Sequence, residues 1–226
     1  MTKNHMKRLS APRTWKTERK TKPFITRPNP GSHTLDLCVS INTFLKEYVQ
    51  IVETTREVVY LLRHTEVLVN QSRVYDKKRQ VGFLDVVSIP EHDTYYLLTV
   101  NNHGVLEAIK HEEHPDEYFD KITEKTTVKE GKTQYGTLAG RSILLDTAEH
   151  PTKATVRLSK TGNVKNVYPF QAGSPAFIFK GSHAGTQGTI DHIENDEVVI
   201  ENDGNTTRTK IQYAVVTGNK RPSIDL

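Results

Sequence analysis

The apolar positions of this chain change period several times, and each change predicts an element. Leu37, Cys38, Ile41, Phe44, Leu45, Tyr48, Val49 and Val52 share one broad helical face. Lys46 and Glu47 lie opposite, so a first helix is predicted from Leu37. Cys38 on that face reads as a buried thiol, not a nucleophile. Thr54 with Glu57 three residues on is a capping box, and Val58, Leu61 and Leu62 follow at helical spacing. A second helix is predicted there. From Glu66 the period drops to two: Val67 and Val69 mark a strand. Asn70-Gln71-Ser72 is turn chemistry, and Arg73-Val74-Tyr75 returns as a partner strand. Gln71 stands where such a turn favours glycine, which leaves the turn type open.

Beyond this hairpin the chain reads as strands. Residues 84–89, 95–100 and 105–109 form the first group, with Asn101-Asn102-His103-Gly104 as a hairpin turn. Residues 111–130 are polar and read as a surface connection. Strands are then predicted over 142–146, 155–159 and 166–170. From Gly173 a small β-barrel is predicted, with strands over 176–180, 197–201 and 208–216 and a turn at Asp203-Gly204-Asn205. The fold class expected is therefore α+β, mostly β.

Composition narrows the class. The chain has 226 residues, 35% hydrophobic and 26% charged, as expected of a folded, polar-surfaced protein. No apolar run approaches the roughly 20 residues that span a bilayer, and the basic start has no apolar segment behind it. No membrane role is expected, and the cytoplasm is the default location. Cys38 is the only cysteine, so a disulfide scaffold or a cysteine zinc site within one chain is excluded.

Charge changes the picture more. Residues 1–30 hold nine cations against the single acid Glu18, a net +8; with +4 overall, the remainder carries −4. Pro12, Pro23, Pro28 and Pro30 bar a long helix, and Trp15 and Phe24 are spaced among the cations. An extended arm laid along RNA, ordered only when RNA is bound, fits this mixture. Packing of Trp15 and Phe24 on the domain behind them is the alternative.

Several motifs invite chemistry and fail on spacing. His111-Glu112-Glu113-His114 lacks the H-E-x-x-H spacing and a surrounding apolar helix, so no metal is expected. Gly140-Arg141-Ser142-Ile143 lacks the aspartate that follows a similar lead in pseudouridine synthases. Gly181 to Ile190 ends in neither Gly-Lys-Ser/Thr nor a helix, which excludes a phosphate-binding loop. No cofactor and no catalytic residue are expected.

The motifs that do fit together carry a resemblance. Thr54-Thr55-Arg56-Glu57-Val58, Val67-Leu68-Val69-Asn70 and Arg73-Val74-Tyr75-Asp76 resemble the alpha-L RNA-binding motif, in its ribosomal protein S4e variant. His5 to Pro12 with Trp15 resembles the amino-terminal signature of S4e proteins. Arg27 to His33 resembles a second block, with Ser32 in place of a proline. Gly181 to Ile190 resembles a KOW motif. The resemblance implies a basic arm (1–36), an alpha-L (S4-like) RNA-binding domain (37–100), a central β-rich domain (101–172), a KOW SH3-like barrel (173–218) and a tail (219–226). It implies a structural constituent of the small ribosomal subunit, archaeal from the short ends. The partners implied are small-subunit ribosomal RNA and neighbouring ribosomal proteins, with a monomer outside the ribosome. An RNA-modifying enzyme and a KOW-type transcription or translation factor are the alternatives.

The RNA-binding residues expected follow from this layout. In the arm and its continuation they are Lys3, His5, Lys7, Arg8, Arg13, Trp15, Lys16, Arg19, Lys20, Lys22, Arg27 and His33. In the alpha-L region they are Lys46, Arg56, Arg63, Arg73, Lys77, Lys78 and Arg79. Lys180 and His183 belong to the KOW loop.

Overall fold

The computed structural model describes residues 5–111, 117–128, 131–145, 150–159, 162–202 and 204–217. Lys3, Glu112 to His114, Asp203 and the 219–226 tail lie outside them. The chain forms two units. One holds residues up to Thr99 with Val105–Pro115; the other holds Val100–Gly104 with all from Asp116.

The first unit begins with the arm, which is folded. Strand β1 (Met6–Lys7) pairs antiparallel with β2 (Phe24–Ile25). Trp15 is 3% exposed, and its ring N–H donates to the Leu35 carbonyl at 3.1 Å. Met6, Ala11 and Ile25 are buried as well. The expected free arm is corrected here: its apolar residues are spaced to dock it on its own unit.

The helix expected from Leu37 is also corrected. Cys38–Ser40 is a strand, β3, paired with β6 (Gln80–Gly82) in the register Cys38 opposite Gly82. Helical structure starts only at Ile41. A short α1 (Ile41–Thr43), capped by the Ser40 hydroxyl, runs into a π-helical turn over Phe44–Tyr48. Helical spacing and a buried strand both accept a continuous apolar run, so periodicity alone could not separate them. Cys38 is fully buried, and burial pushes its thiol up to about 12, with Asp85 and Asp36 adding to the shift. It is no nucleophile.

Helix α2 (Thr55–His64) follows the sequence reading. The Thr54 side chain accepts from the Glu57 N–H, and Glu57 accepts from the Thr54 N–H. Val58 and Leu62 face the core. The hairpin of β4 (Leu68–Val69) and β5 (Ser72–Arg73) closes through Asn70 and Gln71, with φ of 48° and 67°. Two left-handed residues in a two-residue loop make a type I′ turn. Asn70 tolerates this because its own amide is held: its Oδ1 accepts from the Val86 N–H at 2.8 Å and its Nδ2 donates to Asp85. The sheet continues through β7 (Val86–Ile89) and β8 (Thr94–Val100) to β9 (Leu106–His111), in the order β5-β4-β7-β8-β9. The expected boundary at residue 100 thus falls within this sheet.

Two antiparallel sheets build the second unit. In chain order its strands are β10 (Glu117–Thr127), β11 (Thr133–Thr137), β12 (Ser142–Leu145), β13 (Thr155–Ser159) and β14 (Val164–Tyr168). There follow β15 (Pro175–Ile178), β16 (Gln187–Glu194), β17 (Glu197–Asn202), β18 (Asn205–Lys210) and β19 (Ala214–Val216). The sheet orders are β12-β11-β10-β13-β14 and β18-β17-β16-β15-β19. Tyr168 lies in one buried cluster with Ile178, Ile190, Val198, Ile200 and Val216. The strand β10 occupies a stretch read as a polar connection. It buries Tyr118, Asp120, Lys121 and Ile122, and the charged residues among them hide the alternation. Gly185, at φ 92°, runs so close to the Asn101 carbonyl that an added Cβ would sit 2.3 Å from its oxygen. Only glycine serves there.

Candidate nucleic-acid interface

On α2 the exposed ridge is the site's foundation. Tyr60 is 66% exposed, and His64, one turn on, packs against it with ring centroids 4.2 Å apart and the planes tilted by 35°. Residues four apart on a helix are neighbours, so Arg56 stands one turn before Tyr60 on the same ridge. Arg56, Tyr60, Arg63, His64 and Lys77 line a hollow of about 390 Å³ with Thr55 and Val59. Among the described residues, neither Arg56 nor Arg63 has an ion-pair partner. At the hairpin, the Arg73 guanidinium lies 5.0 Å from the centroid of Tyr75, itself 67% exposed. Exposed rings beside unpaired cations suit stacked bases and phosphates.

The Lys77–Arg79 run is fixed through its backbone. The Lys77, Lys78 and Arg79 carbonyls accept from the N–H groups of Asn42, Asn29 and Ile41 at 3.1, 2.9 and 2.9 Å. Asp76 accepts from the Asn29 amide at 2.7 Å. This loop is a junction of arm, α1 and hairpin, with Arg79 exposed beside it.

The arm's expected contacts divide. His5, Lys7, Arg13, Lys16, Lys20, Lys22 and Arg27 are exposed. Lys16 pairs with Glu107 at 3.0 Å, a surface pair of little energetic weight. Arg19 donates to the Pro12 carbonyl at 2.8 Å and so folds the arm on itself. Arg8, Trp15 and His33, also expected as RNA contacts, are all three buried. The Arg8 guanidinium donates to Glu47 Oε1 from both terminal nitrogens, one at 2.9 Å. Burial raises the Glu47 carboxyl while Arg8 pulls it down. His33 Nε2 meets Asp85 at 3.2 Å, and its ring fills the space over Gly82, where an added Cβ would be 2.2 Å from it. Asp85 also accepts from the Gly82 N–H at 2.6 Å. Thus His33 and Asp85 lock β6 to the chain before the hairpin.

A second concavity, of about 990 Å³, is lined by the arm, by the π-helical turn and by the start of α2. Lys22, Lys46 and Phe24 contribute to it, as do Thr17 and Asn42, which sequence reasoning did not single out. Lys46 is partly buried, and its ammonium is lowered by burial, then by Lys22. In the second unit, Lys180 lies 5.8 Å over the Tyr213 ring and His183 is exposed. Tyr60 and His64 were also missed. Their signal was an exposed aromatic pair at i, i+4 on the polar face of a predicted helix.

These features define a β-rich protein whose first unit exposes cations beside aromatic rings. Residues 2–36 match the RS4NT (NUC023) domain model. The chain is 32% identical over 240 residues to small ribosomal subunit protein eS4 of Methanocaldococcus jannaschii, covering 99% of this chain and 98% of that protein. It is 33% identical over 193 residues to eS4 of Nanoarchaeum equitans, covering 84% and 82%. The crystal structure of 30S ribosomal protein S4e from Thermoplasma acidophilum superposes with a TM-score of 0.70 at 24% identity, over 81% of this chain and 96% of that one. The chain belongs to the small ribosomal subunit protein eS4 family.

Proposed function

We propose that this protein is a structural constituent of the small ribosomal subunit, where it binds ribosomal RNA and supports translation. Similarity along nearly the whole chain to proteins of that name carries the reading. The geometry of α2 supports it: Arg56 and Arg63 stand exposed beside the Tyr60–His64 ring pair. Cations set phosphate positions, while stacked rings take bases that a duplex would hide. The role requires positioned contacts and no reaction. Residues 37–100 would serve as the alpha-L module and 173–218 as the KOW barrel. Neighbouring ribosomal proteins would complete its surroundings, in the cytoplasm, and it would be monomeric when free. Co-sedimentation with small subunits tests this. A core constituent stays bound in stoichiometric amount through a high-salt wash, whereas loss in that wash would make it a transient factor.

A further inference from the structure

The 990 Å³ cavity of the first unit gathers polar groups that the fold leaves unanswered. Asn42 is 4% exposed; its Nδ2 donates to the Thr26 hydroxyl at 2.7 Å, yet among the described residues its Oδ1 has no hydrogen-bond partner. Arg8 Nε and the Thr17 hydroxyl are likewise buried and unpartnered. All three residues line this cavity. An unmatched buried polar atom is costly, and such atoms gathered around one cavity call for a common explanation. Lys22 and Lys46 line it too, and Lys22 adds to the burial that lowers the Lys46 ammonium. Two crowded cations gain from an anion between them. Phe24, 55% exposed, adds an aromatic face. The wall also carries Glu18, Glu47 and Glu53, of which Glu47 is paired with Arg8; together they repel a run of phosphates but leave room for one.

We propose that this cavity receives one unpaired ribonucleotide of a bound RNA. Its phosphate lies between Lys22 and Lys46, its base against Phe24, and a sugar hydroxyl or base amino group donates to Asn42 Oδ1. The assignment rests on the RNA-binding reading above. A phosphodiester group alone would leave Asn42 Oδ1 unanswered, because both are acceptors. A nucleoside alone would leave the repulsion between Lys22 and Lys46 unrelieved. A nucleotide answers both, and the volume suffices for one.

The full chain, titrated with AMP, inorganic phosphate and adenosine, tests the cavity. AMP should bind more tightly than either fragment, and Lys22→Ala with Lys46→Gln should weaken it by about tenfold. Equal binding of AMP and phosphate, no binding of AMP, or no change in the double variant overturns the proposal; water then fills the cavity. A small-subunit RNA fragment that the wild type binds tests the source. Displacement of AMP by that RNA supports an RNA nucleotide, and co-occupancy overturns it in favour of a free nucleotide. If the wild type binds no such RNA, the proposed function fails, and with it the RNA assignment. In that case AMP binding would mark the cavity as a free-nucleotide site.

Discussion

The arm and helix α2 are both rich in cations, and the fold uses them differently. In the arm, Arg8 is buried against Glu47 and Arg19 caps carbonyls of its own segment. On α2, Val58 and Leu62 hold the helix down, which leaves Arg56 and Arg63 to solvent. Charge density along a sequence therefore does not measure the charge available to a partner. What decides is whether apolar residues alone can anchor the segment. Helix α2 has an apolar stripe. The arm has no periodic face, so part of its docking falls to ion pairs and to the Trp15 ring.

The contrast breaks most visibly at Arg8. Arg8→Ala should destabilise the first unit by about 3 kcal/mol, because it leaves the half-buried Glu47 carboxylate without its partner. Denaturant unfolding followed at Trp15 reads this. A loss below about 1 kcal/mol would mean that the arm is held by its apolar residues alone.

Lys121 sharpens the comparison from the second unit. Among the described residues it has no carboxylate partner: its buried Nζ donates to the Ile211 and Ala214 carbonyls, at 2.8 and 2.5 Å. Burial, and then Lys153, lower its pKa from 10.5 to about 7. Between those values the unfolded chain holds a proton that the folded chain lacks. Stability of the second unit should thus rise as pH climbs from about 7 towards 10.5, by at most about 1.4 kcal/mol per pH unit. Below about 7 the cost of burying the charged form is fully present. Lys121→Met should flatten that slope. Amide exchange of the β15–β19 sheet against pH, in both proteins, measures it, and equal slopes would refute the assignment.

Smaller still is the effect of the cap. Thr54→Ala removes the acceptor for the Glu57 N–H and should cost about 1 kcal/mol in thermal unfolding. A neutral result would mean that Val58 and Leu62 alone fix the start of α2.

What was legible in the sequence follows the range of the forces involved. The cap of α2 and the Asn70 turn are local, and each was readable from adjacent residues. The turn's type was not, because Asn70 is held by Asp85 and Val86, more than a dozen residues on. The strand at Cys38 depends on a pairing with Gly82 that no local period records. Strand β10 was lost because Asp120 and Lys121 sit at buried positions, where only the finished fold supplies partners. Among candidate RNA contacts, Arg56 and Arg63 were legible as the polar face of an amphipathic helix. Arg8 and His33 were not separable from them by charge, since Glu47 and Asp85 lie distant in sequence.

The smallest expected effect on the fold is the one that isolates binding. Arg56 and Arg63 are exposed and make no ion pair among the described residues, so changing both to Ala should alter stability by no more than about 0.5 kcal/mol. Their loss should instead appear in the salt dependence of RNA binding. Each phosphate contact contributes roughly 0.9 to the slope of log K against log salt on duplex-like RNA. The double variant should therefore bind with a slope shallower by roughly 1.8. Tyr60→Ala offers the matching control: it should weaken binding to looped RNA while leaving the slope intact, because a ring carries no charge. If the arginine variant keeps the wild-type slope, the salt-dependent contacts belong to the exposed cations of the arm, and the roles assigned to the two regions are reversed.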